Sequence, residues 1–189
     1  MDLIQPSAYF THPVNWGIHP MFHRAHICSV KRSVIGTEQR SCFNSKVRRK
    51  IGYTAITGGQ QESYYLKKYM KTNRHLVWGV PIWMYEMSLT AIASTDTLTV
   101  DSTQYKELEV DQEVILFKDY KTYEVGIIQT IGSTTSITLD SAVSSSWNIG
   151  TKVYPILRSE IEVINSWTAK APDSLAISIM FNESFRGEY

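Results

Sequence analysis

Glu113-Val-Ile-Leu-Phe117, Tyr123-Glu-Val-Gly-Ile-Ile128 and Ser136-Ile-Thr-Leu139 decide how this chain is read. Each is a short run rich in β-branched and aromatic residues, set off by Asp, Gly, Ser or Lys clusters that favour turns. Thr97-Leu-Thr-Val100 precedes them and Thr151-Lys-Val-Tyr-Pro-Ile156 follows. Five strands at such short spacing predict a small β-barrel over residues 87–156.

The flanks predict a different module. On the C-terminal side, Ser159-Glu-Ile-Glu-Val-Ile164 is one strand. Leu175, Ile177, Ile179 and Phe181 alternate with Ala176, Ser178 and Met180 in another, the pattern of a half-buried strand. Two strands cannot make a stable domain alone, so they are expected to rejoin a sheet from residues 24–85. On the N-terminal side, Val77–Tyr85 is too apolar and aromatic for a loop and predicts a buried strand, with Pro81 at a bulge or edge. Residues 60–76 predict the one helix. Tyr65, Leu66, Tyr69, Met70 and Asn73 fall at three- and four-residue spacing, with Lys67, Lys68 and Lys71 outside the stripe. His26–Val30 and Lys46–Ile56 predict an antiparallel strand pair, joined through Val34–Asn44 as a long loop or a short extra hairpin. Residues 1–22 carry Pro6, Pro13 and Pro20 among Tyr9, Phe10, Trp16 and Phe22, which predicts an extended arm. The expected fold is mainly β: a sandwich of residues 23–86 plus 157–189 with a flanking helix, interrupted by the barrel of residues 87–156.

Composition bounds the chemistry. The 189 residues are 43% hydrophobic and 20% charged, a globular balance. A net charge of +1 offers no general field for nucleic acid. The charge is nonetheless uneven. Arg24, Lys31, Arg32, Arg40, Lys46, Arg48, Arg49 and Lys50 face one nearby acid, Glu38, whereas residues 96–124 hold eight acids against Lys106, Lys118 and Lys121. Complementary ends of this kind suit copies that stack or close into a ring. No secretory leader or membrane span is expected from the apolar runs. Cys28 and Cys42 are the only cysteines, and reduced thiols are expected where the chain is made.

Catalytic and metal motifs are weak. His19, His23 and His26 with Cys28 lack a second ligand pair, and an extended chain aims neighbouring residues apart. Thr57-Gly-Gly59 is not followed by the Lys-Ser/Thr of a phosphate loop. Glu107, Glu109, Asp111 and Glu113 alternate, as do Glu160 and Glu162, and both sets are expected on solvated edges. Lys46-Val-Arg-Arg-Lys50 is expected to be the exposed face of a strand rather than a site for sequence-specific nucleic acid. No enzyme and no cofactor is expected.

The segment Ile35-Gly-Thr-Glu-Gln-Arg40, preceded by Asn15-Trp16 and followed by Arg48-Arg49, resembles a pattern in tail proteins of tailed bacteriophages. Pro81-Ile-Trp83 leads into the β-rich insert, and Trp147-Asn-Ile-Gly-Thr-Lys-Val-Tyr-Pro155 lies within it. The similarity spans most of residues 12–165, and its distinctive core is Gly-Thr-Glu-Gln-Arg. The resemblance implies a virion structural protein, made in the host cytoplasm, at the distal tail near the baseplate. Its fold would be tail-tube-like, assembled as a hexameric ring that joins the tail tube to the tip, with further copies of itself, the tail tube and the hub as partners and a lumen through which DNA passes. Trp16, Gly36, Glu38, Arg40, Arg48 and Arg49 would lie at interfaces, with the arm and the loop at 34–44 as docking elements. Arg40→Ala, or deletion of residues 1–20, would then leave the monomer folded and block assembly. The alternatives are a tail-completion or neck connector protein, or a host-surface carbohydrate-binding module displaying Trp147, Tyr120 and Tyr123.

Overall fold

The computed structural model describes residues 6–25, 28–32, 38–42, 48–171 and 173–184. The chain is mainly β with one α-helix. Its contacts divide it into two compact units, one of residues up to Pro13 with Leu76–Arg158, the other of Val14–His75 with residues from Ser159 on.

In the first unit, β1 (Ala8–Tyr9) pairs in parallel with β6 (Trp78–Pro81), Ala8 opposite Trp78 and Tyr9 opposite Gly79. Residues 1–22 were expected to form an extended arm that docks onto something; of the described ones, Ala8, Phe10, Thr11 and His12 are buried, and the amides of Ser7 and Phe10 donate to the carbonyls of Val77 and Gly79. Gly79 lets the strands meet, since a Cβ there would stand 2.4 Å from the Tyr9 ring. The strand expected over Val77–Tyr85 stops at Pro81, which is buried at its end, and Trp83–Tyr85 forms a 3₁₀ turn.

Residues 87–156 carry the five strands expected of them, close to their predicted positions, and a short sixth, Met87–Ser88. The strands are β7 (Met87–Ser88), β8 (Thr97–Thr99), β9 (Glu113–Phe117), β10 (Tyr123–Ser133), β11 (Ser136–Leu139) and the start of β12 (Lys152–Ala171). The antiparallel pairing runs β7-β12-β9-β10-β11-β8. It returns to its origin through a bridge between Leu89 and Val100 and through Asp101 N–H donating to Ser88 O. The period of two sends Val114 and Leu116, Leu98 and Val100, Ile137 and Leu139, and Val153 to one side. There they form a single apolar cluster with Met87, Leu89, Ile128 and Trp147. The opposite face of β9 carries Phe117, which meets Trp83 and Tyr154 edge-on at centroid distances of 5.1 and 6.3 Å.

In the second unit, β5 (Arg48–Ile56) lies between β2 (Met21–Ala25) and β13 (Ser174–Glu183), both antiparallel to it. The far half of β12 pairs with β13. The expected alternation holds, with Ile51, Tyr53 and Ala55 on β5 and Leu175, Ile177, Ile179 and Phe181 on β13 all buried. Helix α1 (Gln60–Asn73) begins after Gly59, whose φ of 118° suits glycine alone. Gly58 N–H donates back to Glu62. Leu66 and Met70 are the buried residues of the predicted stripe, while Tyr65 and Tyr69 stack on each other at 5.6 Å.

The expected pairing of His26–Val30 with Lys46–Ile56 is corrected. The partner of β5 is Met21–Ala25, and β3 (Cys28–Arg32) pairs instead with β4 (Glu38–Cys42). Strand propensity identifies candidates, whereas partner choice rests on which faces can be buried together. Glu38 and Arg40 thus lie on β4, in keeping with the short extra hairpin that was the alternative to a loop there.

Candidate assembly interface

The segment that leads into β2 is held in a defined turn. Val14 bridges to Ala55 and Met21 pairs with Gly52, so residues 15–20 stand opposite only Tyr53 and Thr54 and the chain bows outward. Asn15 builds the bow with three hydrogen bonds. Its N–H donates to Thr54 O at 2.8 Å, its carbonyl accepts from Ile18 N–H at 3.1 Å, and its Oδ1 accepts from Gly17 N–H at 3.0 Å. This is the side-chain-to-backbone turn that Asn favours. The result is Trp16 at 59%, Ile18 at 45% and Met21 at 46% exposure. Single exposed apolar residues are ordinary, but here three fall within six residues beside an edge. Among the described residues β2 pairs with β5 only, and a strand at the edge of a sheet is where a further strand can add.

The other predicted interface residues divide. Arg49 is tied to Glu183 on β13: its backbone N–H, Nε and Nη2 all donate to that carboxylate, at 2.8, 2.9 and 2.5 Å. Arg48 Nε donates to Glu183 O at 3.2 Å. Glu183 anchors the basic strand, and no motif pointed to it; the one sequence signal is its place next in the buried alternation after Phe181. Gly36 lies outside the described residues, as do the side chains of Glu38 and Arg40. His19 and His23 are exposed, and His26 lies outside the described residues. Among the described residues no group of His, Cys, Asp or Glu is placed to hold a metal ion, and no helix is long and apolar enough to cross a membrane.

No family model and no curated protein matches this chain.

An open trough of about 630 Å³ lies on the first unit between Phe117, Lys121, Tyr123, Glu124, Trp147 and Lys152. Trp147, expected to be exposed, is 8% exposed and belongs to the apolar cluster, with its indole N–H donating to Glu124 Oε2 at 2.7 Å. Tyr120 and Tyr123 are half-buried. Burial pushes the Glu124 carboxyl up, but the hydrogen bonds from Ser144 and Trp147 outweigh it and leave the group below its ordinary range. Glu124 and three serines, Ser144, Ser145 and Ser146, lie in its lining with Lys121 and Lys152.

Glu113 also departs from expectation. Glu109 and Asp111 are exposed, whereas Glu113 opens β9 at 2% exposure. Tyr9 hydroxyl donates to its Oε1 at 3.3 Å, while Glu113 Oε2 and Arg158 Nη2 are buried without a hydrogen-bond partner among the described residues. Desolvation pushes the Glu113 carboxyl above its ordinary value, and the Arg158 charge offsets only part of the rise. The folded state therefore holds this proton more tightly than the unfolded chain. Its contribution to stability is complete below the ordinary carboxylate range, about pH 4, and is lost as pH rises through the raised folded value. Glu113→Gln is expected to be more stable than the parent at neutral pH, with the difference shrinking toward pH 4. Urea midpoints across that range measure it, and parallel pH profiles would refute it.

Proposed function

We propose that this chain is a structural component of the tail of a tailed bacteriophage that assembles with copies of itself into a ring, hexameric in the reading that the sequence resemblance favours. In this proposal the circuit of strands from β7 to β12 is a small barrel inserted into a tail-tube-like sandwich. The ring sits at the distal tail, between tube and tip. The observation that carries the reading is the Asn15–Ile18 turn, which presents Trp16 beside a strand that, among the described residues, pairs on one side. A ring requires a head-to-tail contact between two different patches, and an edge that accepts a neighbour's backbone supplies one such patch. Tryptophan is the residue type most often found to dominate such contacts. Acidic residues on the insert, such as Asp111 and Asp119, would ease DNA passage if they faced the lumen, though Glu113 is buried and takes no part.

Trp16→Ala is expected to weaken self-association by about 2 kcal/mol or more, roughly thirtyfold, with an unchanged circular dichroism spectrum because the side chain is exposed. Sedimentation velocity on parent and variant gives the answer. A parent chain that stays monomeric at the highest concentration it tolerates would sink the proposal.

A further inference from the structure

We propose that Cys28 and Cys42 are a modification site: exposed to glutathione disulfide, they join in one intramolecular disulfide across the base of the β3–β4 hairpin. The two residues are direct partners in the antiparallel register, followed by Ser29 with Ser41, Val30 with Arg40, Lys31 with Gln39 and Arg32 with Glu38. Directly opposed residues share a face of the pair. Their Cα atoms lie about 4.5 or 5.5 Å apart, depending on whether the pair exchanges hydrogen bonds, and both separations fall inside the span that a disulfide bridges. Cys28 is the first residue of β3 and Cys42 the last of β4, so the bond closes the open end of the hairpin. No other cysteine exists in the chain, which leaves a single connectivity.

The reaction balances with glutathione disulfide as oxidant. One cysteine thiolate attacks a glutathione sulfur, forming a mixed disulfide and releasing one glutathione thiolate. The opposed cysteine thiolate then attacks the protein sulfur of that mixed disulfide and expels the second glutathione. The two cysteines lose two protons to solvent and two electrons to the oxidant. Fixing the base in this way holds the register of a two-stranded pair, which is marginal when left alone.

The test equilibrates the full chain with glutathione disulfide, blocks remaining thiols with iodoacetamide and reads intact and peptide masses. The expected product is a monomer lighter by two hydrogens, with the Cys28 and Cys42 peptides linked. The control is the double variant Cys42→Ser with Ser41→Cys, which moves the second thiol to the other face of the pair. It is expected to stall as a glutathione adduct, and circular dichroism of its reduced form checks its fold. Should the control fail to fold, the parent result alone decides. Parent thiols that both stay open to iodoacetamide, disulfides found only between chains, or closure of a folded control as complete as the parent's would each overturn the proposal.

Discussion

Phe10→Ala is expected to destabilise the first unit by about 3–5 kcal/mol, the usual cost of emptying a buried phenylalanine site. Total stability of a domain is about 5–15 kcal/mol, so the variant loses a large share of it. Phe10 is 1% exposed, and its N–H donates to Gly79 O at 2.9 Å. Ala8 is buried beside it in β1, and Thr11 Oγ1 donates to Tyr120 O at 3.0 Å. Deleting residues 1–20 adds to the loss. It removes β1 and leaves the carbonyls of Val77 and Gly79 without their partners, each a further cost of about 1–3 kcal/mol where water cannot reach. The expectation that this deletion spares the monomer is therefore reversed: the truncated chain is expected to be unfolded or aggregated. Urea unfolding followed by circular dichroism measures both effects. A Phe10→Ala midpoint equal to the parent's, or a truncated chain with a cooperative transition at the parent's midpoint, would show that residues 6–13 contribute no packing.

Glu183→Ala is expected to cost about 3 kcal/mol, the lower end of the range for removing one partner of a buried ion pair. The side chains of Arg49 and Glu183 are 20% and 10% exposed, so water screens part of the interaction. Three donors of Arg49 converge on the one carboxylate, and its removal takes all three hydrogen bonds at the same time. Glu183→Gln keeps an acceptor but loses the charge, and is expected to fall between the parent and the alanine variant. The comparison bears on assembly. An Arg49 bound within its own chain should act on unfolding midpoints and leave the dissociation constant of any oligomer nearly unchanged, the reverse of the Trp16 variant. Equal stability of the alanine variant and the parent would count against the pair. By contrast, Lys50 and Glu162, at 2.7 Å and about one-third exposed, are expected to contribute little.

Local pattern specified much of the fold. β9 and β11 occupy the residues that their β-branched runs predict, because each run is short, bounded by turn formers and buried through side chains it supplies itself. The helix over residues 60–73 follows from a stripe at 3.6-residue spacing, and β13 from strict alternation. Trp16 of the candidate interface entered only through the resemblance; the turn that exposes it rests on Asn15 Oδ1 accepting from Gly17 N–H. Packing between distant segments settled the rest. Propensity cannot say that Cys28–Arg32 takes Glu38–Cys42 as its partner while β5 takes Met21–Ala25, since all four segments suit a strand. Neither could composition show that Trp147 would be buried, for its indole N–H needs Glu124, 23 residues away. Glu113 continues the spacing of Glu109 and Asp111, yet Tyr9, from the other end of the chain, covers it. The physical reason is one of range. Turns, helix stripes and alternation arise from neighbours along the backbone, whereas burial of a polar side chain and the choice of a β-partner depend on groups that folding alone brings together.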